Sequence, residues 1–244
     1  MQLIRTCAAE ITVGGDYARP IGGTAGSMSR KPAQLIEYRS KRTLQRTPEP
    51  AGGRRRRGRP RFVVQQHDAS SLHYDFRLEA GGVLKSWAVP KGPSLNPKDK
   101  RLAIQTEDHP LDYADFEGVI PEGEYGAGPV IVWDRGTYRN LTKNDGQEVP
   151  VEQAVEAGHV KFWLEGEKLR GGFALTRVGG GKKPWWLLVK MNDEGADPRR
   201  DPVITQPRSV VSGKTIQELA AQRERPPERP SPGGARGGAG AAGG

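Results

Sequence analysis

In Leu72-His73-Tyr74-Asp75-Phe76-Arg77-Leu78 every second residue is apolar. That is the period of a β-strand with one buried face, and it puts His73, Asp75 and Arg77 on one side and the apolar residues on the other. Similar alternation, or a short apolar run between turn residues, predicts strands near 61–66, 72–79, 83–89, 101–107, 129–134, 159–164, 171–177 and 185–190. Gly81-Gly82 predicts a hairpin turn between the second and third of these. Helical stretches are predicted at 150–157 and 214–223, with a short one around Pro32 to Lys41 and a turn at Pro48 to Gly53. Many short strands joined by Gly and Pro turns predict a mainly β fold, an antiparallel barrel or sandwich with a few short helices and disordered termini.

The organisation expected along the chain is a disordered leader at 1–30, a basic arm at 31–60, a β domain at 61–191, a C-terminal extension at 192–225 and a disordered Pro/Gly tail at 226–244. The leader contains Gly14-Gly15 and Gly22-Gly23, and Met28 is a candidate translation start within it. From Pro226 the tail has too few apolar residues to pack a core.

Charge adds a direction to this picture. Of the net +9, residues 1–60 carry 13 Lys+Arg against 4 Asp+Glu, whereas 61–191 carry 17 against 18 and 192–244 carry 8 against 7. The excess therefore sits in the arm. Arg54 to Arg57, with Arg59 and Arg61 close behind, form a run placed to track a nucleic-acid backbone, and any such affinity should fall as salt rises. A solvated charge run is the plainer alternative. The single Cys7 excludes a disulfide framework and a cysteine-based zinc site, and fits a reducing cytoplasmic compartment. No apolar run approaches the roughly 20 residues that cross a bilayer, and no secretory signal is evident.

The polar face of the Leu72 strand carries the candidate chemistry. Imidazole and carboxylate suit a divalent ion such as manganese, and a guanidinium fork suits phosphate oxygens. His67 stands six residues upstream of His73, where a preceding turn could bring it to the same ion. A polar solvent face gives the same alternation. A second cluster shifts the balance: in Arg101 to His109 the residues Arg101, Glu107 and His109 share a parity, so one extended strand would place all three on one face. Two strands offering His, acid and Arg point to metal-assisted phosphoester chemistry. Within it Arg77 and His109 would stabilise charge on the phosphoryl oxygens, and Glu107 would orient His109 or raise its pKa. His109, Tyr113 and a metal-bound water all remain candidates for moving the proton. No covalent nucleophile stands beside a base, which favours direct attack by water.

The segments FVVQQHDASSLHYDFRLE at Phe62 to Glu79, LKSWAVPKGPS at Leu84 to Ser94, KRLAIQTEDHPLDYADFEGVIPEGEYGAG at Lys100 to Gly128 and VIVWDRGTY at Val130 to Tyr138 carry more than this. Together they resemble the 3′-phosphoesterase domain of bacterial DNA ligase D and of its free-standing bacterial and archaeal homologues. The resemblance tips the fold to a barrel. It implies a manganese-dependent hydrolase that removes a 3′-terminal ribonucleoside from a DNA primer strand and then hydrolyses the 3′-phosphate left behind. His67, His73 and Asp75 would be the metal ligands, and Arg77, His109 and Tyr113 would hold phosphate. Lys91 and Arg101 match positions near the phosphate, and Glu107 matches one needed for activity. Arg42 and Glu49 match an N-terminal segment that closes over the site and matters for the ribonucleoside step. The family usually has Asp after that arginine, whereas Thr43 stands here. Partners implied are DNA primer–template 3′ ends in nonhomologous end joining, with Ku and a separate ATP-dependent DNA ligase as protein candidates and a monomer as the expected state.

Two other readings stay open: a DNA-end-binding module without catalysis, and a metal-dependent hydrolase of small phosphate esters that has no use for the basic arm. Several motifs are read as structural. Pro121 to Gly128 is Gly-rich but lacks a P-loop ending, and Lys143-Asn144-Asp145-Gly146 has the form of a ligase adenylation site without the motifs that must follow it. Both are expected to be turns. His159 is expected to be structural, and Trp163, Trp185 and Trp186 to pack in the core rather than stack on bases.

Overall fold

The computed structural model describes residues 35–52, 58–181 and 184–224. The Cys7 leader, Arg54 to Arg57 and the Pro/Gly tail lie outside the described residues, as does the proposed start at Met28. Helix α1 (Ile36–Ser40) precedes strands β1 (Arg61–Asp68), β2 (Leu72–Ala80), β3 (Val83–Val89) and β4 (Arg101–Gln105). A 3-10 turn at Leu111–Asp115 leads to β5 (Gly118–Ile120), β6 (Gly128–Asn140) and the small hairpin β7 (Lys143–Asn144) and β8 (Gln147–Glu148). Then follow α2 (Val151–Ala157), β9 (His159–Gly166), β10 (Arg170–Gly179), β11 (Trp185–Lys190), α3 (Pro202–Thr205) and α4 (Ile216–Glu224). None of the helices among the described residues is long and apolar enough to cross a membrane.

The strands run in the order β1-β2-β3-β4-β11-β10-β9-β6, and β6 pairs back onto β1, which closes an eight-stranded antiparallel barrel with β5 beside β6. A barrel of eight strands is just wide enough for side chains to fill. Here Phe62, Phe76, Trp87, Trp133, Phe162 and Trp186 fill it, each from the apolar parity of its strand. The β2–β3 connection is the two-residue turn expected, with Gly81 at φ 61° and Gly82 at φ 86° between paired Ala80 and Val83. Both positive angles are ones a β-carbon disfavours. Lys143 to Gly146 is likewise a hairpin turn, with Asp145 at φ 48° and Gly146 at φ 80°.

A second apolar cluster lies outside the barrel wall. Val63, Leu84 and Val130, from the opposite strand parity, pack with Tyr38 of α1, with Leu111 and Tyr113 of the 3-10 turn and with Phe116 just after it. This roof covers part of the outer face and leaves the rest of it open. A register shift between Val64 and Gln65 marks a bulge in the β1–β6 pairing beneath the roof.

The C-terminal extension is bound to the barrel rather than trailing from it. Trp133 Nε1 donates to the Gln206 carbonyl at 2.8 Å, Val210 N donates to the Val132 carbonyl at 2.9 Å, and Ile216 is buried. Asp134 makes the matching clamp inside β6. Its Oδ1 accepts from the amides of Arg135, Glu167 and Lys168 and its Oδ2 from that of Leu169, at 2.9 to 3.1 Å.

Candidate active site

The polar face of β2 turns outward, toward the roof, and a cavity of about 430 Å³ opens there. His67 at the end of β1 stands opposite His73 in the strand register, so the β1–β2 hairpin itself brings both rings beside Asp75. Donor atoms of His67, His73 and Asp75 all lie within 4.8 Å of one another. Each ring has its outer nitrogen tied to a carbonyl: His67 Nε2 to Gly126 at 2.8 Å and His73 Nδ1 to Ser71 at 2.8 Å. That leaves His67 Nδ1 at 3.6 Å and His73 Nε2 at 3.7 Å from the Asp75 carboxylate. Fixing one nitrogen so that the other presents its lone pair is how proteins prepare imidazoles for a metal, and the donor set fits a borderline or hard divalent ion.

Arg77 lies two residues along the same face and is only 2% exposed. Its guanidinium is positioned by three neighbours: Nε donates to Gln65 Oε1 at 2.9 Å, Nη1 to Ser86 Oγ at 2.8 Å and Nη2 to Asp75 Oδ2 at 3.0 Å. Gln65 is itself held by the Tyr113 and Phe116 carbonyls. Burial works against the Asp75 carboxylate, yet Arg77 and the two imidazoles hold its pKa well below the usual range.

His109 reaches the cavity by another route than strand parity. β4 ends at Gln105; Ala103 faces the barrel core and Ile104 the cavity, so Arg101 does not share a face with the later residues. The chain then turns, and His109 pairs its backbone with Leu84 of β3, N to O at 3.0 Å and O to N at 2.8 Å. Its Nδ1–H donates to the Glu107 carbonyl at 2.9 Å and its Nε2 accepts from Arg42 Nη2 at 3.3 Å, which selects one neutral tautomer. Burial, followed by the charges of Arg77 and Arg42, pushes its pKa well below the ordinary histidine value. This corrects the expectation that the Glu107 carboxylate raises it. Glu107 orients the ring through its backbone oxygen.

The Glu107 side chain is occupied elsewhere, with Lys41 Nζ at 3.0 Å and Arg42 Nη1 at 3.2 Å. Arg42 also donates Nε to Glu49 Oε1 at 2.8 Å and lies 4.0 Å from the centre of the Tyr38 ring. Tyr113 OH donates to the same Glu49 oxygen at 2.9 Å, and burial together with Glu49 raises its pKa well above the ordinary phenol value. The segment from α1 to Glu49 is thus fastened across the site by charge-assisted bonds. Thr43 is exposed, its amide donating to Glu124 Oε2 at 3.3 Å.

Of the expected site residues, the cavity gathers His67, His73, Asp75, Arg77, Glu107, His109, Tyr113 and Arg42, with Glu49 behind Arg42. Lys91 is exposed and does not line the cavity, and Arg101 bonds Asp99 at 3.1 Å instead. Sequence reasoning missed Gln65, Ser86 and Tyr38, whose roles depend on contacts between strands. It also took Pro121 to Gly128 for a turn alone; that loop supplies the Gly126 carbonyl and the Tyr125 ring to the site. His159 bonds Thr176 at 2.9 Å, away from the cavity. Trp186 is buried as expected, but Trp185 is 56% exposed, which corrects its assignment to the core.

Residues 65–177 match the family described as the DNA ligase D 3′-phosphoesterase domain. A multifunctional non-homologous end joining protein LigD of Pseudomonas aeruginosa is 51% identical over 216 residues, covering 86% of this chain and 25% of that protein. The Mycobacterium tuberculosis protein of that kind is 44% identical over 167 residues, 66% of this chain and 20% of its own length. One from Mycolicibacterium smegmatis is 37% identical over 207 residues, 83% and 26%. The chain therefore spans about a quarter of the length of these relatives or less. With the closed barrel and this match, residues 65–177 belong to the DNA ligase D 3′-phosphoesterase domain family.

Proposed function

We propose that this protein is a manganese-dependent phosphoesterase that heals the 3′ ends of DNA primer strands, as both a 3′-ribonucleoside phosphodiesterase and a 3′-phosphomonoesterase, in nonhomologous end joining in the cytoplasm. The observation that carries the reading is the adjacency of the His67–His73–Asp75 donor set to a buried Arg77 and to His109 within one cavity.

When bound by His67, His73 and Asp75, a divalent ion supplies Lewis acidity toward a phosphoryl oxygen. Arg77 is held in place before substrate arrives, so its positive charge is available to the equatorial oxygens without reorganisation. His109 Nε2, which accepts from Arg42 in the free protein, bonds a phosphate oxygen only after taking up a proton, which the negative charge of the arriving phosphate favours as Arg42 shifts its donor to another phosphate oxygen. Tyr113 keeps its phenolic proton and can donate it in place of its bond to Glu49. Arg42 and Glu49 carry the closing segment, whose exposed Thr43 bears on the ribonucleoside step. The protein partners proposed are Ku and a separate ATP-dependent ligase.

The test is incubation with manganese and a labelled primer–template bearing one 3′-terminal ribonucleotide, beside the same primer ending in 3′-phosphate. Conversion of both to 3′-hydroxyl ends is the expected result. Conversion of the phosphate alone confines the enzyme to the monoesterase step. Binding without change of either end overturns catalysis in favour of an end-binding module.

A further inference from the structure

The outer barrel face that carries the cavity does not stop at its rim. In the strand register Asp75 of β2 pairs with Ala88 of β3, Ala88 with Ile104 of β4, and Ile104 with Trp185 of β11. Paired residues project from the same face, so the row runs straight from a metal-ligand candidate to an exposed indole. Three inter-strand steps of about 4.8 Å make roughly 14 Å. Leu102, 42% exposed, and Leu187 form the adjoining pair on the same face. Gly179 pairs with Trp185 on the other side, and a methyl group there would stand 3.6 Å from the indole Cε3. The ring thus has backbone beside it and solvent over more than half its surface. In sequence, Lys182-Lys183 comes just before Pro184-Trp185.

We infer that Trp185 is a stacking platform for an unpaired template base just beyond the primer 3′ end. The inference rests on the proposed function. A base within duplex DNA already has both faces stacked, so an exposed indole selects a base that lacks a neighbour, and an overhanging template strand supplies one. A duplex is wide enough that this base lies on the order of 10 Å or more from the terminal phosphate of the primer, compatible with the row from Asp75. The lysine pair that precedes Pro184-Trp185 in the sequence has the sign that a strand's phosphates require. Trp185 would therefore set a preference for recessed 3′ ends over blunt ones without touching the reacting atoms.

The experiment is equilibrium binding of the full chain, without divalent metal so that no turnover intervenes, to two end-labelled duplexes bearing the same 3′-phosphate. One has a 5′ template tail and the other is blunt. Wild type should bind the tailed duplex about tenfold more tightly, the size expected for one base stacked on an aromatic ring. Trp185→Ala should remove the difference, and Trp185→Phe should keep most of it, with the thermal midpoint of both variants near wild type because the ring is largely exposed. A preference that survives Trp185→Ala, or no preference in wild type, overturns the inference. Hydrolysis is scored separately with manganese: binding preference without hydrolysis sinks the phosphoesterase reading alone, and hydrolysis with no tail preference sinks the Trp185 assignment alone.

Discussion

Arg42 Nη1 stands 3.2 Å from Glu107 Oε1, joining residues 65 positions apart, and both side chains are nearly inaccessible to water. The glutamate thus acts as the socket for the closing segment, and the imidazole two residues later is served by its backbone. Glu107→Gln should weaken hydrolysis of a 3′-phosphate by tenfold or more and lower the unfolding free energy by about 3 kcal/mol, since Arg42 is then left with an incompletely paired buried charge. Steady-state kinetics and urea unfolding check this. Unaltered values in both would remove the socket role.

His73→Ala should abolish hydrolysis and keep the fold, because the ring is at the cavity edge and outside the apolar core. A readout independent of turnover is thermal unfolding with and without manganese. At a hundred times its dissociation constant a ligand stabilises by about 2.7 kcal/mol, and this gain should appear in wild type and vanish in the variant. Equal stabilisation of the two proteins would end the ligand assignment.

The metal-free protein should lose stability as pH falls from 7 to 5, in part through His109. Its folded-state pKa is depressed, so between that value and the unfolded value of about 6.5 the unfolded chain binds more protons than the folded one. The contribution is complete above about 6.5 and is lost as the pH drops toward the folded value. Urea midpoints across this range should fall less steeply for His109→Gln than for wild type. Parallel slopes would show that burial of this ring is not what the acid limb reports.

Asp134→Ala should damage the fold without touching the chemistry. Four backbone amides lose their acceptor at once, and a cost of about 4 kcal/mol follows, chiefly from leaving the buried Lys168 and Leu169 amides without partners. Calorimetry should show a large drop in the unfolding midpoint, while the kcat of the folded fraction at low temperature stays near wild type. A loss of kcat larger than the loss of folded protein would place Asp134 closer to the site than its contacts do.

The barrel strands were legible because each alternates against a filled interior: Phe62, Phe76, Phe162 and Trp186 all sit at the parity their neighbours predict. His73, Asp75 and Arg77 were legible for the same reason, being the other parity of one strand. Where alternation ends, so does its reach. Glu107 and His109 lie past the last residue of β4, and only the return of the chain to Leu84 brings them in, a contact that no local pattern encodes. Gln65 and Ser86 look like ordinary polar residues until the hairpin sets them around the Arg77 guanidinium. Trp185 and Trp186 are neighbours of identical chemistry, and only the direction of the barrel interior tells one from the other.

The backbone pairing of His109 with Leu84 has a consequence for how the chain tolerates change in length. Asp75, Arg77 and Ser86 ride on the β2–β3 hairpin, and His109 is clipped to that same hairpin, so their spacing is independent of how far the chain wanders between β3 and β4. Extra residues at the exposed Lys98 or Lys100 would lengthen an excursion that begins and ends on a fixed frame. The imidazole and the carboxylate would remain at their present separation, which makes this connection the place where the fold can gain a new surface without giving up its chemistry.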